Sequence, residues 1–136
     1  MDAEPERNIS FFRFEDLRIY HKALNYILWV QKKTLPFHEK DHGIVSTKLS
    51  HSAQAIAMNI AEGSARNKSQ FVYYLKLSKS AIRDCLVLTS LAFNSGYFTE
   101  DDERHSREQL MEMTKMLGAL IGSLQKAAGI SGDEHD

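Results

Sequence analysis

The chain is poor in residues that cross-link a protein or interrupt its helices. Its 136 residues include one cysteine, Cys85, and two prolines, Pro5 and Pro36. A single cysteine allows no intrachain disulfide, which is typical of a reducing compartment. Because proline ends or kinks a helix, its near absence leaves long stretches free to remain helical. We therefore expect a chain without disulfides that is built from long, uninterrupted helices.

Long apolar runs and a strong net charge are also missing. No stretch approaches the ~18 apolar residues needed to cross a bilayer. The first ten residues, MDAEPERNIS, are too acidic and polar for a secretory signal. The formal net charge is −1, which gives no overall attraction to nucleic acid or to a membrane. These features predict a cytoplasmic protein with no membrane partner.

The charges are nevertheless unevenly distributed along the chain. Residues 13–98 contain 12 lysines and arginines against 6 acids, whereas residues 99–136 contain 4 against 9. Two outcomes follow from this asymmetry. The surface is polarised, or the segments pack together and neutralise each other.

Apolar residues recur at intervals of three and four, and no segment alternates as a strand does. This period predicts four helices: the first from about Phe14 to Pro36, the second from 44 to 62, the third from Asn67 to Gly96 and the fourth from Thr99. Short loops between long helices predict an all-α, antiparallel up-down-up-down four-helix bundle. We expect residues 1–12 to form a flexible arm, 13–128 the bundle and 129–136 a disordered acidic tail.

Several apolar side chains lie off the inner stripes of their predicted helices. They are Ile19, Tyr26, Trp29, Val30, Val72 and Leu77. A bundle buries one stripe of each helix, so these residues either form outer patches that need a neighbouring chain or are buried by unusually wide stripes. The first alternative predicts an oligomer. Cys85 lies on an inner stripe and is expected to fill the core.

The segment HEKDH, from His38 to His42, matches the H-E-x-x-H pattern that binds zinc. That chemistry requires both histidines on one helix, but the segment lies between Pro36 and Gly43, where helical signals are weakest. A solvated polar loop is the favoured interpretation. We predict no metal, no cofactor, no small-molecule substrate and no catalytic residues.

Basic residues gather on and before the third helix. Lys76, Lys79 and Arg83 recur at three and four, so they share a face, and Tyr73 precedes Lys76 by one turn. Cations beside an aromatic ring permit phosphate contacts together with base stacking. The alternative is an ordinary solvated face that pairs with acids of the fourth helix. The predicted nucleic-acid-binding residues are Arg66, Lys68, Tyr73, Lys76, Lys79 and Arg83.

An acid occupies an unfavourable position in the turn between the second and third helices. Glu62 is predicted at a helix end that carries partial negative charge. Gly63 then provides a left-handed cap, Asn59 bonds loose carbonyls, and Arg66 folds back onto Glu62. A cation from the first helix is the other candidate partner. The expected result is a structural clasp formed by Asn59, Glu62, Gly63 and Arg66.

Two stretches of the sequence resemble a known family. FRFEDLRIYHKA at 12–23 and NIAEGSARNKSQF at 59–71 are similar to signatures of the bacterial four-helix bundle proteins encoded in intervening sequences of 23S rRNA genes. The third-helix segment YYLKLSKSAIRDCLVLTSLAFNSGYF also resembles that family. The likeness extends from about Phe12 to Leu124. It departs at Ser50-His51-Ser52-Ala53, where a basic pair before alanine is expected.

The resemblance implies an antiparallel four-helix bundle that assembles as a ring-shaped homopentamer and has no known catalytic activity. Related accessory proteins of diversity-generating retroelements form basic barrels that bind a reverse transcriptase and nucleic acid. The resulting hypothesis is a non-enzymatic, oligomeric bundle that binds structured RNA or an RNA-associated protein, such as a reverse transcriptase or a ribosome-associated protein. The alternative is a scaffold for protein interactions with no nucleic-acid binding.

Overall fold

The computed structural model describes residues 11–129, and every regular element in this range is helical. The four long helices are α1 (Arg18–Thr34), α2 (Ile44–Ser64), α3 (Lys68–Asn94) and α4 (Glu100–Ala128). None of them is both long enough and apolar enough to cross a membrane. Residues 1–10 and 130–136 lie outside the described range. The flexible arm and acidic tail expected there therefore remain predictions.

The four helices form the all-α, up-down-up-down bundle that the sequence predicts. Each helix packs against the next along the chain, and α1 also contacts α4, which closes the ring. One end of the bundle holds the start of α1, the α2–α3 turn and the end of α4. The other end holds the α1–α2 loop and the α3–α4 turn. We call the first of these the turn end and the second the loop end.

The helix boundaries follow from local capping chemistry. At the start of α3, the Asn67 side chain accepts a hydrogen bond from the Gln70 amide at 2.9 Å. At the start of α4, Thr99 and Asp102 exchange two bonds in a full capping box. Gly96 has a φ of +83°, which glycine adopts without steric cost as the chain leaves α3. These three signals are readable in the sequence.

The beginning of α1 differs from the prediction. A short 3₁₀ helix spans Arg13–Asp16, and Leu17 is extended before α1 starts at Arg18. Glu15 and Asp16 therefore lie ahead of α1 and not in its first turn. This break gives the chain a bend at the turn end of the bundle and brings Arg13 close to the α2–α3 turn.

The buried face of α1 is also rotated from the predicted stripe. The sequence predicts an inner stripe formed by Leu17, Tyr20, Leu24, Ile27, Leu28 and Gln31. Leu28 is instead 62% exposed, whereas Ile19, Tyr26 and Val30 are buried. Both assignments satisfy a helical period because apolar residues occupy more than half of the circumference of α1. The hypothesis that these residues form an outer patch is wrong for Ile19, Tyr26, Val30 and Val72, which all lie in the core.

Trp29 and Leu77 remain partly exposed. The Trp29 ring stacks on Tyr26 with centroids 5.9 Å apart and also lies 5.7 Å from the Phe98 ring and 4.9 Å from the His105 ring. Aromatic pairs at such distances add about 1 kcal/mol each beyond area burial. Trp29 thus seals the α1–α4 seam near the loop end.

Gly63 does not end α2 in a left-handed conformation, so the predicted cap is wrong. The helix continues to Ser64, and Gly63 is not among the positive-φ glycines. The residue is buried because α3 crosses closely at this point. A Cβ at Gly63 would lie 2.7 Å from Tyr74 Cβ and 2.8 Å from Phe71 Cδ1. Glycine is required here by close packing and not by backbone conformation.

Candidate nucleic-acid interface

The basic residues of α3 form one stripe along its outer surface. At 100° per residue, Lys68, Lys76, Lys79 and Arg83 fall within a sector of roughly 80°. Lys68 and Arg83 are fifteen residue steps apart, which corresponds to about 22 Å of helix. We call these four residues the α3 stripe. Only one acid, Asp84, occurs on the whole of α3.

The α3 stripe and its neighbouring aromatic ring are accessible to solvent to different degrees. Lys68 and Arg83 are exposed, Lys76 and Lys79 are half-buried, and Tyr73 is 58% exposed. Tyr73 lies one turn before Lys76, and its ring meets that of Tyr74 edge to face at 5.2 Å. The geometry offers an exposed ring one helical turn from Lys76, at the edge of the α3 stripe, which suits phosphate and base contacts.

The acids of α4 find cations on α1 and within α4. Lys33 meets Asp102 at 3.2 Å and Lys22 meets Glu112 at 2.9 Å, while Asp101 pairs with Arg104. The first two pairs join α1 to α4. Of the two outcomes left open by the charge asymmetry, neutralisation between segments thus occurs at the α1–α4 seam.

The half of α4 that lies beside the α3 stripe contains no acids. Between Glu112 and Gly129, α4 contains no aspartate or glutamate but does contain Lys115 and Lys126. The antiparallel packing places this half of α4 beside the first half of α3. The net charge of residues 99–136 conceals these two lysines, because it averages over both halves of α4. The acids of α4 are confined to the half near the loop end.

The α2–α3 turn contains the ion pair that the sequence suggested. Arg66 folds back and pairs with Glu62, and its guanidinium carbon lies 5.2 Å from the centre of the Tyr74 ring. The hydrogen bond to Glu62 raises the pKa of the Arg66 guanidinium above its ordinary value. Both side chains are exposed, so this contact adds little stability. The first-helix candidates for pairing with Glu62 were Arg18 and Lys22, and Lys22 pairs with Glu112 instead.

Asn59 does not take part in this clasp. Its side-chain amide donates to the Ala55 carbonyl one turn back, at 2.9 Å. The predicted bond to a loose carbonyl at the helix end is wrong because α2 continues to Ser64 and the carbonyls near Asn59 belong to the helix interior. Of the predicted clasp, only the Glu62–Arg66 pair forms. Gly63 allows Phe71 and Tyr74 of α3 to pack closely against α2.

The HEKDH segment is a loop of consecutive turns, as the sequence favoured. It is not fully solvated, however, because Asp41 is only 6% exposed. Asp41 accepts hydrogen bonds from the Gly43 and Ser46 amides, both at 2.8 Å, and from the Ser46 hydroxyl at 3.1 Å. Ser46 Oγ also lies 2.8 Å from His38 Nδ1. Within residues 11–129, no three potential ligand side chains of His, Cys, Asp or Glu gather around a point.

Asp41 acts as the anchor of the first turn of α2. Burial opposes its charge, but the hydrogen bonds from Ser46, Gly43 and Val45 outweigh burial and lower its pKa below the ordinary value of 3.8. A lowered pKa means that the stabilisation is fully present above about pH 4 and is lost as the pH falls through the folded-state pKa.

Replacement of Asp41 tests this role. We expect Asp41→Ala to lower the free energy of unfolding by about 1–2 kcal/mol at pH 7, the usual cost of a lost helix cap. Urea denaturation at pH 7 and pH 3 measures the effect, and the difference from wild type should shrink at pH 3. Glu39→Ala, in the same loop but exposed, is the control. A difference that is equal at both pH values would contradict a role for the carboxylate charge.

Cys85 has the environment of a core residue. It is fully buried, and burial, with a further contribution from Asp84, raises the pKa of its thiol to about 12. A thiol with such a pKa stays protonated and unreactive at neutral pH. This placement agrees with the predicted core role.

An apolar groove lies between α3 and α4 towards the loop end. Its volume is about 640 Å³, and Leu86 and Met111 lie along it. The rim carries charges of both signs, contributed by Glu100, Glu103, Arg104, Arg107 and Glu108. Val87 and Leu91 add exposed apolar surface on α3 nearby, at 61% and 47%. None of these exposed apolar residues was among the outer-patch candidates of α1 and α3 that the sequence suggested.

Comparison with known proteins agrees with the fold and with the resemblance. A family model described as "23S rRNA-intervening sequence protein" matches residues 15–119. The chain belongs to this family. Residues 15–119 contain α1, α2, α3 and most of α4, and they include the whole α3 stripe. Membership covers the bundle itself and is not limited to the two signature stretches.

A solved structure related to the family shows the same fold. It is a protein of unknown function from the S23 ribosomal protein family of Bacteroides thetaiotaomicron, with a TM-score of 0.71 and 17% sequence identity. The match covers 76% of this chain and 95% of that one. At this identity the likeness concerns the fold alone. No curated protein matches the chain.

Proposed function

We propose that this family member is a non-enzymatic, cytoplasmic, oligomeric bundle that binds structured RNA through the α3 stripe, Tyr73 and Arg66. The observation that carries the proposal is the α3 stripe itself, four cations in one sector of a helix with a single acid. The acid-free half of α4 extends the positive surface with Lys115 and Lys126. Membership of a family named for 23S rRNA intervening sequences supports an RNA partner.

The electrostatics of the stripe favour a ligand with regularly spaced negative charges. Phosphates displace condensed counterions when lysine and arginine approach them, and this release provides most of the affinity. A net charge near zero does not oppose such binding, because local potential and not total charge attracts the ligand. Tyr73 adds a ring on which an unpaired base can stack.

The apolar groove between α3 and α4 supports assembly. Met111 is 54% exposed in the monomer, and the mixed rim charges can pair with those of a second copy. The resemblance to the family implies five copies. The groove lies nearer the loop end. A neighbouring copy that covers it therefore leaves the turn-end part of the α3 stripe available for RNA.

The test is fluorescence anisotropy with a labelled structured RNA, at low and at physiological salt. Lys76→Glu/Lys79→Glu/Arg83→Glu is expected to lower affinity at least about tenfold and to reduce the slope of log K against log salt by about 2, because each lost phosphate contact removes about 0.7–0.9. Light scattering on the same samples is expected to give a mass above that of the 15.5 kDa chain.

The control is Lys32→Glu/Lys40→Glu/Lys48→Glu, which changes the net charge equally but affects exposed lysines of α1, α2 and their loop. It should bind RNA far better than the α3 stripe variant. Equal losses in both variants would mean that only total charge matters. No wild-type binding at low salt would refute the RNA proposal.

A protein-interaction scaffold is the second candidate, and the apolar groove is the observation that favours it. Such docking depends on apolar burial and responds weakly to salt. A protein partner that remains bound at high salt, together with no RNA binding at any salt, would favour the scaffold. A scaffold of this kind needs no contribution from the α3 stripe.

A further inference from the structure

A small cleft opens at the turn end of the bundle, where three separate segments meet. It has a volume of about 310 Å³ and lies between the 3₁₀ helix, the α2–α3 turn and the end of α4. Three cationic side chains line it, Arg13, Arg66 and Lys68. The cleft therefore combines enclosure with a concentration of positive charge contributed by residues distant in the sequence.

No carboxylate lines this cleft. Glu62 pairs with one nitrogen of the Arg66 guanidinium. A guanidinium has five N–H donors, so most of those on Arg66 are left for a ligand. The side chains of Arg13 and Lys68 form no hydrogen bond or ion pair with any other residue of the described range. Among the described residues only Arg66 of these three cations pairs with a carboxylate, that of Glu62, so their like charges repel one another and an anion relieves that repulsion.

The floor of the cleft is apolar and partly aromatic. Leu17, Phe71 and Leu124 line it, and all three are only partly buried. Phe71 is held in place because its ring packs against Gly63 of α2. An aromatic ring of the ligand can therefore lie on this floor while its charged group faces the cations.

We propose that this cleft binds a phosphorylated nucleoside, with the phosphate held by Arg13, Arg66 and Lys68 and the base lying on Phe71 and Leu124. The volume fits one small ligand and is too small for a duplex. Both a free nucleotide and the 5′-terminal nucleotide of an RNA chain present this chemistry. The cleft includes Lys68 of the α3 stripe but not Lys76, Lys79 or Arg83, and it shares Arg66 and Lys68 with the proposed RNA surface.

Binding of a free nucleotide is tested by calorimetric titration with adenosine 5′-monophosphate, with adenosine and inorganic phosphate as separate probes. The monophosphate should bind more tightly than either probe, because only it uses the cations and the floor together. Arg13→Ala and Lys68→Ala should each weaken it about tenfold, as expected for a charge-assisted hydrogen bond. Both side chains are exposed, so these variants should fold.

Lys40→Ala at the loop end is the matched control and should leave monophosphate binding unchanged. The Lys76→Glu/Lys79→Glu/Arg83→Glu variant should also leave it unchanged within about threefold, because those residues do not line the cleft. Monophosphate binding that is equally weak in wild type, Arg13→Ala and Lys68→Ala would overturn the proposal.

The two sources of the ligand are distinguished with one RNA made with a 5′-phosphate or with a 5′-hydroxyl. A preference for the phosphate of about tenfold, absent in Lys68→Ala, assigns the cleft to the RNA end. Monophosphate binding without this preference assigns it to a free nucleotide, and the inference then holds even if RNA binding fails. Neither monophosphate binding nor a 5′-phosphate preference would refute the inference while leaving the α3 stripe proposal intact.

Discussion

Gly63→Ala is expected to lower the free energy of unfolding by about 2 kcal/mol. This net value is the cost of overpacking less the gain from the better helix propensity of alanine. The new methyl group would lie 2.7 Å from Tyr74 Cβ and 2.8 Å from Phe71 Cδ1. Tyr74 Cβ is attached directly to the backbone and cannot move away alone. Relief of the overlap therefore requires α2 and α3 to separate, which loosens the packing of the core around the turn.

Gly118→Ala is the matched control and should have the opposite sign. Gly118 lies within α4, and a Cβ there would meet nothing within 4 Å. Alanine should stabilise this helix by about 1 kcal/mol, because glycine loses more backbone entropy on folding. Urea denaturation of both variants at one fixed protein concentration measures the two changes and prevents assembly from altering the comparison.

Stabilisation by alanine at both positions would contradict the close crossing of α2 and α3. Loss of stability at Gly118 would instead mean that a second chain approaches α4 at this glycine. The difference in sign between the two glycines is therefore more informative than either value alone, and it separates packing within the monomer from packing between copies.

Ser106→Ala is expected to lower the free energy of unfolding by about 2–3 kcal/mol. Ser106 Oγ lies 2.7 Å from the Tyr26 hydroxyl and 2.8 Å from Thr89 Oγ1. All three residues are buried, and the bonds join α1, α3 and α4 at the centre of the bundle. Removing Ser106 leaves two buried hydroxyls short of a partner, at a cost of about 1–3 kcal/mol each.

The raised pKa of Tyr26 keeps its hydroxyl protonated within this hydrogen-bond network. Burial is the main reason that the pKa of its hydroxyl is raised above the ordinary value, with a smaller contribution from Cys85. The phenol therefore keeps its proton and must find an acceptor inside the protein. Because Ser106 comes from α4 and Tyr26 from α1, the bond also helps to fix the register of these two helices.

Ser123→Ala provides the control for the Ser106 prediction, since Ser123 lies exposed on the same helix. It should change stability by less than about 0.5 kcal/mol, as surface substitutions usually do. Denaturation curves of the two variants are compared directly. A Ser106→Ala protein as stable as Ser123→Ala would mean that Tyr26 and Thr89 find other partners without cost.

The sequence predicted the helices of this protein because helical period and capping are local properties. Asn67, Gly96 and Thr99 mark their boundaries correctly, since each satisfies backbone groups within a few residues. Cys85 was placed in the core for the same reason, because it lies on the inner stripe of α3. The family resemblance also depended on local stretches of sequence, and the match over residues 15–119 confirmed it.

Periodicity alone could not determine which face of α1 is buried. Apolar residues surround much of that helix, and only the positions of α2 and α4 select Tyr26 over Leu28. The same holds for Gly63, whose role depends on the rings of α3 crossing it and not on its own φ. Asp41 was overlooked because its amide partners are defined only when the loop closes on the start of α2.

The sequence by itself determined the number and the antiparallel order of the helices and the boundaries at Asn67, Gly96 and Thr99, because these depend on neighbours along the chain. The tertiary structure alone decided how the charges are distributed over the surface. It placed the acids of α4 against lysines of α1, left the α3 stripe beside an acid-free half of α4 and brought Arg13 to Arg66 and Lys68. Electrostatic interactions act through space, so residues more than fifty positions apart meet only when the bundle forms.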